Sequence, residues 1–412
     1  MKGKIKTIIK ILAGVIAALI IIFIVGHLIY SLFYPFEYVR RIFVWGDSDV
    51  DDYLNNLPHS YLSAPPMTFY FEKDLDEEGV ASTFEAILNV EDFDTFLEEM
   101  DTQALIVIQN DAIKYEKYFN GKQRDSMLTS FSVAKSITSA LVGIAIAEGY
   151  IDSVHDPITK YLPELAERDS LFEEITIKDL LMMASGLEYQ ETRFGLFNGD
   201  DPITSYYTDQ RKAALEFTNI KDPPGEYFLY NKYHPQLLGM IVERATGTSI
   251  TEYTQQKLWD PLGMEFDGSW SLDSEESDFE KMEAGFNARA IDFAKFGRLY
   301  LEGGNWDGEQ IIPTDWVEES TQVDPERHSD AYYPDDFGQN IYNNLRGYYK
   351  YMWYGYFRGD DGYDFAGEGD HGQFIYISPF KNLIIIRNGM EYGGDWNWVP
   401  WIKAFYQFSS EY

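Results

Sequence analysis

Cysteine is absent from the 412 residues, so disulfides, thiolate metal sites and cysteine nucleophiles are excluded. Positive charge is scarce: 33 Lys and Arg face 68 Asp and Glu, a net charge of −35. That balance excludes nucleic-acid recognition by clustered cations. The 6 histidines lack metal-ligand spacing such as H-E-x-x-H, so no metal is implied, and nothing else in the sequence calls for a cofactor. Beyond residue 76 there is no long Gly/Ser or Pro linker and no fixed-period repeat, which reads as one continuous globular unit. With 45% hydrophobic and 17% aromatic residues the chain has too much buriable surface to be disordered.

What charge there is lies unevenly. The first 36 residues contain no acid and four lysines, Lys2, Lys4, Lys6 and Lys10. The remainder holds 29 basic and 68 acidic side chains, a net charge of −39. Residues 11–34 form an apolar run long enough for a membrane-spanning helix, which needs about 20 residues. A cleavable signal peptide begins in the same way, but the run is longer than the usual h-region and no A-x-A-like site follows. The expected arrangement is a cytoplasmic N-terminus at 1–10, a signal-anchor helix at 11–34, an irregular juxtamembrane segment at 35–75 and a catalytic-size domain at 76–412. The lysine bias places that domain outside the cell, tied to the membrane through the N-terminal helix.

Within the outer part, 104–110 and 112–119 have β composition around Asp111, a hairpin signal, and 372–378 and 382–388 flank a second turn at 379–381. Apolar spacing predicts a terminal helix over 396–408. Strands at both ends with helical patterns between them imply an α/β fold of the α+β kind, an antiparallel sheet flanked by helices with a helical lobe inserted.

Chemistry concentrates in SFSVAKSITSALVGIAIAEG, residues 130–149. Ile137, Leu141, Ile144 and Ala145 recur at helical spacing, no charge lies between Lys135 and Glu148, and Gly149 marks the stop, so the helix is buried on most sides. Ser132 and Lys135, three apart, share a face at its N-terminal end. Burial and the positive helix end both favour a neutral lysine. A neutral amine beside a hydroxyl can act as general base and make the serine a nucleophile, while the Ser132 backbone N–H faces a developing oxyanion. The competing reading is a serine helix cap with a solvated lysine, and S-x-x-K arises about once by chance in a chain of this composition.

The motifs around it come in series. S-x-x-K is followed by GYIDSVHDPITKYLPEL at 149–165, TIKDLLMMASGL at 176–187, PPGEYFLYNKYHPQLLGMIVERATG at 223–247 and ARAIDFAKFGRLYLEGGNWDGEQIIPTDWVEES at 288–320. In this order they resemble the serine β-lactamase and penicillin-binding-protein superfamily, in the branch of class C β-lactamases, esterases and 6-aminohexanoate-dimer hydrolases. The likeness spans roughly 100–410 and implies a serine β-lactamase-like fold. It also implies an acyl-enzyme on Ser132 and Tyr230 of the Y-x-N motif as proton shuttle beside Lys135.

Two positions depart from the family pattern. Lys232 stands where many relatives carry the asparagine that contacts the substrate amide, which weighs against β-lactam recognition. The third motif, K-T-G or H-x-G, is matched by Asp370, His371 and Gly372, so an acid replaces the basic first position. In that register Gly372 keeps the strand clear of the substrate, the Gln373 N–H is the second oxyanion donor, and Lys232, Asp370, His371 and Gly372 line the substrate site. The expected substrate is a small ester, amide or peptide. Two alternatives stay open: penicillin-binding DD-peptidase or β-lactamase activity, and a non-catalytic binding ectodomain of the same fold. An α/β-hydrolase is the weaker rival, because no G-x-S-x-G occurs.

The charge of the outer part carries its own expectation. Polyanionic substrates should be turned over at least about tenfold more slowly than neutral ones at low salt, with the gap closing as salt rises. Salt-insensitive hydrolysis of a polyanion would contradict it.

Overall fold

A computed structural model describes residues 2–46, 48–191 and 199–412, apart from the side chains of residues 2–8 and Asp361. The acidic stretch at 46–52 includes Asp47, which lies outside the described residues. The strands are β1 (His59–Leu62), β2 (Glu72–Lys73), β3 (Thr102–Gln109), β4 (Ala112–Tyr118), β5 (Leu128–Thr129), β6 (Gly268–Ser271), β7 (Phe286–Ala288), β8 (Asn305–Trp306), β9 (Glu309–Gln310), β10 (Tyr348–Lys350), β11 (Trp353–Phe357), β12 (Tyr363–Gly369), β13 (Gln373–Ser378) and β14 (Leu383–Gly389). The helices used below are α1 (Lys2–Tyr30), α2 (Phe36–Trp45), α3 (Val133–Ala147), α4 (Tyr233–Thr246), α5 (Ala290–Leu301) and α6 (Trp398–Glu411).

Eight strands make the main sheet in the order β10-β11-β12-β13-β14-β3-β4-β2. Its pairings are antiparallel except β2 with β4. Both expected hairpins are present. β3 and β4 turn through Asn110 and Asp111, both at positive φ, the backbone that a tight hairpin demands. β13 and β14 turn through 379–381, and every residue of β14 is buried, because helices cover both faces of the sheet. α5 lies on one face, where the space above Gly297 is filled by Ile384 and Ile375. On the other face α6 presents Phe405 to Phe374 and Tyr376. Alternation along β13 sends these residues to opposite sides.

α3 runs between the sheet and the helical lobe. Its residues 133–145 are all buried, which explains the density of small side chains: β12 lies against one flank and α4 against another. At Gly143 an added Cβ would sit 2.5 Å from the Trp316 ring.

Residues 9–30 form a helix of mean hydropathy 2.8, long and apolar enough to cross a membrane. It ends at Tyr30, and 31–34 form a turn rather than its last residues. The segment 35–75 differs more from expectation. α2 buries Tyr38, Val39, Arg41 and Ile42. Arg41 donates to the carbonyls of Tyr206 and Asp273 at 3.3 and 2.6 Å. β1 pairs with β6, His59 opposite Ser271, in a second sheet ordered β1-β6-β7-β5. This stretch is therefore woven into the body, and its partners lie some 200 residues away in sequence, beyond the reach of local pattern.

The packing at Gly143 sets a test. Gly143→Val should destabilise the fold by about 1–3 kcal/mol, because the new Cβ would meet the Trp316 indole at 2.5 Å and force it to shift toward the adjoining cavity lined by Ile146, Val154 and Tyr351. Denaturant titration of the full chain in micelles reads this, and an unchanged midpoint would show that the approach is not tight.

Candidate active site

Ser132 stands at the start of α3 with φ −66° and makes no side-chain capping bond. The helix-cap reading of this serine therefore fails, and its hydroxyl is left for another partner. That partner is Lys135, whose Nζ lies 2.8 Å from Ser132 Oγ and donates to the Glu283 carbonyl at 2.7 Å. Lys135 is 1% exposed, so the solvated-lysine reading fails as well. Burial, and then the nearby Lys232 cation, bring its pKa down to about 7, against weaker opposing pulls from Glu283, Asp201 and Asp370. Ser132 itself is half-buried and reachable from solvent.

Tyr230 reaches the same point from the loop before α4. Lys135 Nζ lies 5.0 Å from the centre of its ring, and Phe337 and Tyr349 pack on the ring at 5.0 and 6.2 Å. Burial raises its pKa above that of an ordinary phenol, while hydrogen bonding with Ser132 and Tyr354 pulls the other way. Asn231 is consumed by the turn, accepting the Tyr233 N–H at 2.9 Å and donating to the Leu187 carbonyl at 3.4 Å. Lys232 pairs with Asp201 at 2.7 Å. Burial works against its charge, but Asp201 prevails and its pKa ends above that of a free lysine.

The third motif is placed differently from the expected register. At Gly369 an added Cβ would lie 2.3 Å from the Ser130 carbonyl and 3.1 Å from Phe131 Cβ, and at Gly367 it would lie 3.1 Å from Ser136 Oγ. Gly369 therefore lets β12 approach the serine loop, and Gly367 lets it approach α3. Gly372 lies elsewhere, with Arg387 and the Glu391 carbonyl filling the space beside it. Gln373 is across the ladder from Gly369, on β13, and its buried side chain donates to the Gly389 carbonyl at 2.8 Å. Asp370 is exposed beside the site. His371 is held by its surroundings: Nδ1 lies 3.0 Å from the Met390 carbonyl and Nε2 3.1 Å from that of Ser48.

Several contributors had no sequence signal of their own. Glu283 receives Lys135 through its carbonyl while its carboxylate pairs with Lys281 at 2.6 Å, both side chains 1% exposed. Asp201 enters from a short helix, Asp201–Tyr206. A second serine–base pair, Ser185 Oγ and His234 Nε2 at 2.6 Å, is sealed in the core. Among the described residues no cluster of three or more His, Asp or Glu is disposed to hold a metal.

Comparison with known proteins bears on the family and the fold. The Beta-lactamase family model matches residues 93–388. The chain belongs to the beta-lactamase family. It is 27% identical over 311 residues to the 6-aminohexanoate-dimer hydrolase of Paenarthrobacter ureafaciens, covering 72% of this chain and 74% of that protein. A Bacillus anthracis structure assigned provisionally to the 6-aminohexanoate-dimer hydrolases superposes with a TM-score of 0.72 at 22% identity, over 87% of this chain and 92% of its own. A class C beta-lactamase does so with 0.58 at 14% identity, over 83% and 99%. Family membership therefore establishes the β-lactamase-type serine hydrolase fold seen in the sheet and α3.

The two adjacent cations make a prediction. Lys232→Gln removes the positive neighbour and leaves Asp201 unneutralised, and both changes favour protonated Lys135. The midpoint of Lys135 titration, followed by the 13Cε shift, should move alkaline from about 7. A midpoint that stays or moves acidic would show that Lys232 does not act on Lys135.

Proposed function

We propose that this chain is a membrane-anchored serine hydrolase that cleaves a small ester or linear amide through an acyl-enzyme on Ser132. The reading is carried by one observation: Lys135 Nζ is 2.8 Å from Ser132 Oγ. Lys135 is neutral over much of the range near and above pH 7, so it can take the hydroxyl proton as Oγ attacks the substrate carbonyl. Tyr230, above the same amine, relays that proton to the leaving alcohol or amine. In the second half of the cycle, water attacks the acyl carbonyl, its proton passes to the Tyr230–Lys135 pair, and Ser132 leaves with a proton restored.

The oxyanion needs two donors aimed at one point. The Ser132 N–H at the head of α3 is one. For the other, the close approach of Gly369 to the Ser130 carbonyl supports the next N–H along the chain, that of Asp370, over that of Gln373. Lys232 and Asp370 border the substrate site in this reading, while His371 and Gly372 lie behind it. The linear amide follows from the 6-aminohexanoate-dimer hydrolase relative, together with Lys232 at the position where an asparagine would receive a β-lactam amide. For the anchor, the apolar helix of residues 9–30 with lysines before it supports a cytoplasmic N-terminus and an extracellular body.

Intact-mass spectrometry after exposure to a fluorophosphonate, a panel of esters and linear amides, and penicillin tests the reading. A single adduct on Ser132 is expected, lost in Ser132→Ala. Its rate should rise with pH through about 7, because the protonated amine present below that value cannot accept a proton. Absence of any adduct would leave the fold as a binding ectodomain, and an adduct with penicillin alone would assign the chain to the β-lactam-reactive enzymes.

A further inference from the structure

Phe131, the residue immediately before the nucleophile, has φ 43°. A bulky side chain in the left-handed region is strained and persists only where its surroundings hold it. Two rings hold it here. Its ring is 4% exposed, with the His371 ring 4.7 Å away at 34° and the Tyr53 ring meeting it edge-on at 5.1 Å. Together with Val50, Leu57 and Ala284, Phe131 and Tyr53 form a small apolar cluster separate from the main core.

Tyr53 also lies near the residues that support Lys135. Lys281 Nζ lies 5.9 Å from the centre of its ring. Lys281 pairs with Glu283, whose carbonyl receives Lys135. One aromatic ring thus lies against the support of the serine and the support of the lysine. Its own position is fixed from outside the site: the Tyr53 carbonyl accepts from Ser271 Oγ at 2.8 Å, and Asp52 accepts from Tyr206 at 3.1 Å. His371 closes the other side. It is itself at φ 57°, and its imidazole spans from the Met390 carbonyl to the Ser48 carbonyl.

We propose that residues 48–57 and His371 form a positioning element of the catalytic centre, a strap that holds Phe131 in its left-handed conformation and so keeps Ser132 Oγ in line with Lys135. The strap lies between α2 and β1, so the chain just outside the apolar helix is a working part of the site rather than a tether. Neither Tyr53 nor His371 touches the reacting atoms. Each acts through Phe131, and Tyr53 also through the Lys281–Glu283 pair. The proposal rests on the acyl-serine reading given above.

The test uses the full chain in detergent micelles, with fluorophosphonate labelling of Ser132 and steady-state hydrolysis of a chromogenic ester. Two disruptive variants and one conservative variant are compared with the wild type. His371→Asn removes the ring while keeping a residue that tolerates positive φ, and Tyr53→Ala removes the edge contact. A misplacement of about 1 Å at a reacting group lowers a rate by about 100-fold. Both variants should therefore label completely but about 10- to 100-fold more slowly, with kcat reduced and KM little changed. Tyr53→Phe, which keeps the ring, should restore most of the rate. Wild-type labelling rates in both variants would overturn the proposal. So would a smaller labelled fraction that reacts at the normal rate, because that outcome means lost folding rather than lost positioning. If the wild type itself fails to label, the acyl-serine reading falls and takes the strap with it.

Discussion

Burial of the Lys135 amine is the constraint around which the site is arranged. An ammonium ion sealed from water is costly, and a protein relieves that cost by pairing the ion or by releasing its proton. Here the partners nearest the amine are a hydroxyl and a carbonyl. Both bond to an uncharged amine, and neither neutralises a charged one. The carboxylates that could have done so are engaged elsewhere: Glu283 faces Lys281, and Asp201 faces Lys232. The Lys232 cation that remains nearby pushes in the same direction as burial. The chemistry proposed for Ser132 thus depends on how the surrounding charges are paired as much as on the S-x-x-K spacing.

The same burial dictates the shape of α3 and what packs against it. A lysine at the foot of a helix is dehydrated only if the helix is covered on nearly every side, and close cover requires small residues. Gly143 against Trp316 on α3, and Gly367 and Gly369 on the facing strand, supply the close approaches. Glycine on β12 has a second consequence. It brings backbone, rather than a side chain, alongside the serine loop, and backbone N–H groups are the donors an oxyanion needs. In the proposed mechanism a core-packing requirement and a catalytic one are met by the same atoms.

Sequence pattern resolved the parts of this design that are local. The hairpins at 104–119 and 372–388 follow from alternation and turn residues. The buried helix follows from its small residues and its Gly149 stop, which has φ 77°. The third motif was harder, because A-G-E-G-D-H-G offers three glycines and only the register of β12 against the loop before Ser132 decides among them. The family's spacing points to Gly372, whereas the close approach to the Ser130 carbonyl is made by Gly369. The strap was not legible at all: Tyr53 sits in a stretch that looks irregular, and its significance lies in contacts with residues 131, 271 and 281. Asp201 was hidden for the same reason, since nothing near it in sequence indicates that it faces Lys232.

Charge asymmetry takes on a structural meaning once α2 is placed. A −39 body tethered by a bare flexible linker would be free to drift away from an anionic membrane surface. α2 removes that freedom. Its Arg41 is buried against the Tyr206 and Asp273 carbonyls and stacks on Trp45 at 5.2 Å, while Phe36 and Phe43 on its other flank meet His27 and Phe23 of α1. One short helix is therefore shared between the apolar helix and the body, and the strap begins a few residues beyond it. From α2 the contacts run on from Trp45 to the Tyr206 ring at 5.7 Å and from Tyr206 to Asp52, the neighbour of Tyr53. Phe131 is the next contact after Tyr53, and Ser132 the next residue after Phe131, so one continuous set of contacts links the apolar helix to the proposed nucleophile.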